Sequence, residues 1–195
     1  KVLSVTSECA PLVKTGGLAD VAGALPAALT PLGIEMRTLL PGYPKVMAAL
    51  KGAKPVAAFK DLFGGPATVQ SGKAGGLDVY VVDAPHLYDR DGSLYGDAEG
   101  QDWPDNPERF AALCFAAATL AQDGAKGWQP DVVHGHDWQA GLVPEYLHGL
   151  GCDVPFVFTI HNIAFHGNTG ADRLTKLRLD DWRFTADHYE FWGQI

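Results

Sequence analysis

The chain has 195 residues, 47% of them hydrophobic, and a formal net charge of -8 from 15 Lys and Arg against 23 Asp and Glu. That length builds one full α/β domain but not two large ones. The few, scattered basic residues exclude a nucleic-acid partner, whereas a neutral sugar or polysaccharide fits.

No run approaches the roughly 18 apolar residues that a membrane span needs, and the opening residues carry no signal-peptide pattern, so a soluble, cytoplasmic protein is expected. Cys9, Cys114 and Cys152 are odd in number, lack metal-type spacing and sit beside apolar residues. They read as reduced and mostly buried. The chain starts within a residue of its first strand and stops at Phe191-Trp192-Gly193-Gln194-Ile195 without a helix stop or polar tail, as a truncated product would.

In chain order, Val2 to Thr6 reads as a strand, followed by a glycine loop and a helix from about Leu18 to Thr30 that is interrupted near Pro26. Met36 to Leu40 and Leu77 to Val82 are further strands, with Val56 to Phe59 and Ala67 to Gln70 as a short hairpin between them. Pro85 to Pro107 has little periodicity and many polar and aromatic residues, the composition of a long functional loop. Asn106-Pro107 opens a helix reaching about Gln122, with Phe110, Leu113, Cys114 and Leu120 on its apolar face. Val132-Val133-His134 is the next strand, Trp138 to Gly149 the next helix and Phe156 to Ile160 the last strand. From Phe165 onward the pattern is that of partly helical surface, and no internal repeat is present. The alternation predicts an α/β, Rossmann-like fold: a mainly parallel sheet with helices on both faces.

The chemistry gathers at one end of these strands. Lys14-Thr15-Gly16-Gly17-Leu18-Ala19-Asp20 puts a cation and two adjacent glycines between a strand and a helix, where α/β proteins hold phosphate-bearing ligands. Asp83, His134, His136, Asp137, His161 and Asn162 also follow strands, so a parallel sheet places them along one crevice. His134-Gly135-His136-Asp137-Trp138 has two histidines two apart, as a metal site would. Trp138 stands where a metal hydrolase would need another histidine, so no metal is expected. Asp137 then reads as the cap of the helix that starts at Trp138.

Ser7-Glu8-Cys9-Ala10-Pro11-Leu12-Val13-Lys14-Thr15-Gly16-Gly17-Leu18-Ala19-Asp20-Val21 resembles the N-terminal signature of bacterial glycogen synthases and plant starch synthases. His134-Gly135-His136-Asp137-Trp138 is similar to that family's His-x-His-Asp-Trp pattern, and Phe158-Thr159-Ile160-His161-Asn162 to its Thr-x-His-Asn block. Asp83 to Arg90, Asp131-Val132-Val133, Asp102-x-x-Asp105-Asn106 and Gly193-Gln194-Ile195 add further blocks in the same order. Two features depart from the family: glycine at 135, where alanine is frequent, and Lys51 to Gly76, which fits poorly.

The resemblance implies a retaining glucosyltransferase that moves glucose from ADP-glucose to the non-reducing end of an α-1,4-glucan such as glycogen. It implies no cofactor. Residues 1 to 195 would be the N-terminal lobe of a two-domain GT-B enzyme, with the nucleotide-binding C-terminal domain of the same chain absent and no turnover by the fragment alone. By position, His161 would be the catalytic residue beside the transferred glucose, acting by orientation rather than as a nucleophile. Lys14, Gly16 and Gly17 would contact the donor, Asp137 and Tyr95 the acceptor, and Asp20 and Asn162 would also line the substrate site. His134 and His136 would support it.

Two other readings remain open at this level. One is a non-catalytic sugar- or nucleotide-binding α/β module. The other, a nicotinamide-dependent oxidoreductase, lacks both the Gly-x-Gly-x-x-Gly order and an acidic residue after the second strand, since Glu35 precedes Met36.

Overall fold

Runs such as Val2-Leu3-Ser4-Val5 and Val79-Tyr80-Val81-Val82 are apolar on both sides of the pleat, which suits strands covered on both faces. In the computed structural model, which describes residues 1–195, the elements are β1 (Val2–Val5), α1 (Gly17–Leu29), β2 (Met36–Pro41), α2 (Pro44–Ala49), β3 (Lys51–Phe59) and β4 (Ala67–Ala74). Then follow β5 (Leu77–Asp83), α3 (Pro85–Tyr88), α4 (Asn106–Asp123), β6 (Val132–His136), α5 (Val143–Gly149) and β7 (Phe156–Thr159).

All seven strands join one sheet in the order β3-β4-β5-β2-β1-β6-β7. Only β4 runs against the others, pairing antiparallel with both β3 and β5. Register is set along the centre by Val2 opposite Met36 on one side and Val132 on the other. The chain leaves β1 toward β2 and later returns to the other side of β1 as β6. Right-handed crossovers in opposite directions put α1 on one face and α4 with α5 on the other. The carboxyl ends of β1 and β6 therefore flank a switch point, where such sheets hold ligands.

The core is continuous from Leu3, Val5, Leu39 and Leu40 through Val79 to Val82 and Val133. Helix α4 lies on it through Ala111, Ala112, Ala116, Ala117, Ala118 and Ala121, small side chains that let Leu113 and Leu120 reach the sheet. Each such leucine contributes on the order of 2 kcal/mol by leaving water. Cys9 and Cys114 are free and buried, and burial pushes both thiols up to about 12; Cys152 is free and half-buried.

Several elements differ from expectation. Helix α1 runs through Pro26 without a break. The expected short hairpin is longer, with β3 starting at Lys51 and β4 reaching Ala74. The helix expected from Trp138 to Gly149 is divided into a single 3-10 turn, Trp138–Ala140, and α5, because Pro144 can enter a helix only in its first turn. The tail after Phe165 holds only two 3-10 turns, Ala171–Arg173 and Asp181–Arg183. It is fastened by ion pairs from Arg173 to Glu108 and from Arg183 to Glu145. No helix is long and apolar enough to cross a membrane.

Candidate functional site

The glycine loop after β1 is held from beneath by Glu8. This carboxylate is 3% exposed and accepts from the backbone N–H of Thr15, from Thr15 Oγ1 at 2.5 Å and from the Gly16 N–H at 3.3 Å. It also accepts from the hydroxyl of Tyr95 at 2.5 Å, while Ser7 Oγ lies 2.8 Å from the same hydroxyl. Burial first, then the bond to Glu8, raises the Tyr95 pKa, so this phenol is a neutral donor.

Tyr95 reaches Glu8 because the loop between α3 and α4 is organised by Arg109, a guanidinium with 1% exposure. Arg109 donates to the carbonyls of Leu87 and Leu94 and to Asn106 Oδ1, and Asn106 Nδ2 donates to the Tyr95 carbonyl. The irregular stretch Asp89 to Asp105 is thus a fixed wall.

Gly16 and Gly17 end the loop and begin α1. Gly16 has φ of -149°, open to any residue, and a Cβ at either position would meet nothing within 4 Å. Neither the backbone nor packing asks for glycine. What the missing side chains leave is room for a ligand to approach the amides and the positive end of the helix dipole.

Across the switch point, β6 ends in His136 and the chain turns at Asp137 with φ of +55°, a strained value for a residue with a side chain. The Asp137 N–H donates to the Thr159 carbonyl at 3.0 Å, and its Oδ1 accepts from the backbone N–H of His161 at 2.6 Å and of Asn162 at 3.4 Å. This corrects the cap expected at Trp138: the side chain makes no bond to the turn that follows it. It instead fixes the loop carrying His161.

Three imidazoles stack here. Ring centroids lie 4.1 Å apart for His134 and His136 and 5.3 Å apart for His136 and His161. His136 Nε2 is 3.1 Å from Ser4 Oγ, His136 Nδ1 is 3.0 Å from His161 Nε2, and His134 Nε2 is 2.8 Å from Thr159 Oγ1. Burial, reinforced by the neighbouring His134 and His161, pushes the His136 pKa down to about 3. Burial and then His161 lower that of His134. Gly135 lies between the two histidines of β6, and a Cβ there would come within 2.6 Å of Phe156 Cζ and 3.0 Å of Ala140 Cβ. The phenyl ring of Phe156 occupies the space that an alanine would fill.

These pieces line one cavity of about 410 Å³, within the range of about 300–1,000 Å³ usual for small-molecule sites. Gly16, Gly17, Tyr95, Asp137, His161 and Asn162 all line it. Lys14 and Asp20 do not; they pair with each other at 2.7 Å, each more than half exposed, beside the glycine loop. Asp83 also lies outside the lining.

Glu8, Trp138 and Gln139 are among the lining residues that the sequence did not single out as site residues. Glu8 sits inside the motif yet reads as an ordinary polar residue before a turn. Trp138 packs edge-on against Phe110 at 5.0 Å and gives the cavity an apolar wall. Gln139 is among the lining residues, and its Oε1 is buried with no hydrogen-bond partner in the protein. A second, more apolar cavity of about 630 Å³ shares Asp137, Trp138 and Gln139 and extends beneath Phe158, Ile160 and Phe165.

A mainly parallel sheet with a clamped glycine loop on one side of its switch point and a histidine-bearing loop on the other is a Rossmann-like α/β fold. The chain belongs to the starch synthase catalytic domain family, whose model it matches over residues 1–195. It is 69% identical over 195 residues to a glycogen synthase of Jannaschia sp. (strain CCS1), covering all of this chain and 41% of that protein. A glycogen synthase of Paracoccus denitrificans (strain Pd 1222) is 55% identical, with all of this chain and 42% of that protein covered. The catalytic domain of starch synthase IV from Arabidopsis thaliana, solved bound to ADP and acarbose, superposes with a TM-score of 0.75 at 27% identity, over all of this chain and 41% of that one. The chain thus spans about two fifths of the length of these relatives.

Proposed function

We propose that the full-length protein is a glycogen synthase, transferring glucose from ADP-glucose to the non-reducing end of an α-1,4-glucan with retention, and that this chain is its acceptor-side, N-terminal domain. The observation that carries this reading is the meeting of the Glu8-held glycine loop and the Asp137-held His161 loop around one cavity. The names of the relatives support the reaction, and the ADP and acarbose bound to the Arabidopsis enzyme support the two ligand classes.

In this reading the amides of Gly16 and Gly17 and the ammonium of Lys14, once released from Asp20, face the diphosphate as negative charge develops on it. His161 stands beside the transferred glucose, where its ring and carbonyl favour an oxocarbenium-like transition state. Trp138 covers an apolar sugar face, while Asp137, Asn162 and Gln139 receive sugar hydroxyls. The remaining three fifths of the protein would supply the second lobe, most of the nucleotide contacts and the charged partners of the reaction. A cytoplasmic enzyme belongs to the same reading and rests on the bacterial relatives.

The test is transfer of labelled glucose from ADP-glucose to glycogen by the full-length protein and by residues 1–195. Incorporation by the full-length protein alone supports the proposal. Silence from both, with folding verified, would leave a non-catalytic sugar- or nucleotide-binding module as the better account.

A further inference from the structure

His161 does not stand alone at the cavity wall. Behind it runs a chain of hydrogen bonds into the centre of the sheet: His161 Nε2 to His136 Nδ1 at 3.0 Å, then His136 Nε2 to Ser4 Oγ at 3.1 Å. Ser4 lies in β1 and His136 at the end of β6, and both are fully buried. The chain therefore spans the switch point itself.

Burial restricts how protons can be arranged along it. With its pKa near 3, His136 is neutral at ordinary pH and carries one N–H. If that proton sat on Nε2, it would donate to Ser4 Oγ, and the serine hydroxyl, which has no other hydrogen-bond partner, would be a buried donor with nothing to bond. Such an orphan costs about 1–3 kcal/mol. With the proton on Nδ1, Ser4 donates to His136 Nε2 and His136 Nδ1 donates to His161 Nε2, so every buried group is satisfied.

We infer that Ser4 and His136 are positioning residues that hold His161 in its Nδ1–H tautomer, with Nε2 occupied as an acceptor and Nδ1–H left as the hydrogen-bond donor for a sugar hydroxyl. The inference rests on the reading of His161 as the residue beside the transferred glucose. His134 contributes by stacking on the His136 ring while Thr159 holds its own Nε2, so the middle imidazole cannot rotate freely. The consequence for the reaction is directional. A His161 pinned in this way donates to oxygen and offers no lone pair to the substrate, which suits orientation and charge stabilisation rather than proton removal.

The experiment is a nitrogen NMR spectrum of the full-length protein with labelled histidine, at mildly alkaline pH, with His161 identified by its loss in His161→Gln. The expected result is a protonated Nδ1 and an unprotonated Nε2 on His161. Two amides at position 136 separate positioning from mere space filling: Asn places an N–H where His136 Nδ1 was, and Gln places one only where Nε2 was. His136→Asn, which can still present an N–H toward His161, is expected to keep more of the His161 tautomer and of kcat than His136→Gln. His136→Gln and Ser4→Ala are expected to release it to a mixture and lower kcat on the order of 10-fold with little change in KM. A protonated Nε2 on wild-type His161 overturns the inference, as do equal spectra and equal kcat for the two amides. The spectrum needs no turnover, so an inactive full-length protein would sink the proposed reaction and leave this readout standing.

Discussion

Asp137 Oδ1 receives the backbone N–H of His161 at 2.6 Å, joining the end of β6 to the loop beyond β7 through a residue whose own backbone sits at φ of +55°. The carboxylate is thus a brace for the histidine before it is anything for a substrate. Asp137→Ala keeps the strained backbone and deletes the brace, and is expected to cost about 2 kcal/mol in urea unfolding. Asp137→Asn, which retains an acceptor and tolerates positive φ, is expected to lose less than half as much. Equal losses for the two would remove the brace as the cause.

Glu8 predicts a separate effect at the other wall. Glu8→Gln puts an N–H against a hydrogen-bond donor and is expected to destabilise by about 1.5–3 kcal/mol. Hydrogen exchange at the amides of Thr15 and Gly16 is expected to accelerate more than exchange in α4. Uniform acceleration throughout the domain would mean that Glu8 supports the fold at large and not this loop.

Gly17→Ala tests whether the glycines serve a ligand. A Cβ at 17 meets nothing within 4 Å, and alanine favours the helix by up to about 1 kcal/mol. Thermal stability is expected to stay level or rise, while KM for ADP-glucose in the full-length protein rises by about tenfold or more. Unchanged kinetics would show that the donor does not approach this backbone.

Gln139→Met removes an acceptor that the protein itself leaves unpartnered. Because no internal bond is lost, stability is expected to change by less than about 1 kcal/mol. Glycogen KM is expected to rise with ADP-glucose KM unaffected, and the reverse pattern would place Gln139 on the donor side.

Acid sensitivity follows from His136. Its folded pKa is pushed down to about 3, whereas in the unfolded chain this imidazole takes up its proton near the ordinary histidine value of 6.5. The unfolded state binds more protons between those values, so stability is full above about pH 6.5 and declines as pH falls toward 3. One such group contributes at most about 1.4 kcal/mol per pH unit. Urea unfolding of His136→Gln between pH 5 and 6.5, above most carboxylate titration, is expected to show a flatter slope. An unchanged slope would assign the acid sensitivity to other groups.

The central strands were legible because β1, β2, β5, β6 and β7 are short apolar runs at crossover spacing, and their carboxyl ends collected the site residues. Helices α2 and α3 were missed, being only 6 and 4 residues long, too short to show a helical period. The first half of β3 was missed because Lys51 to Lys54 is exposed and shows no alternation. Among site residues, the aspartate after β6 was found but given the wrong partner: which amide a carboxylate meets depends on the positive φ at 137, which no spacing rule reveals. Glu8, Arg109 and Ser4 were invisible for a related reason, since their partners lie 87, 22 and 132 positions away in the chain.

Gly135 and Phe156 share one volume between β6 and β7, where the ring fills what a methyl group at 135 would claim. The two positions are therefore not free to drift independently. Alanine at 135 requires the ring at 156 to turn aside or be replaced by a smaller side chain. The identity of one side chain thus constrains the rotamer or size of the other across the β6–β7 seam.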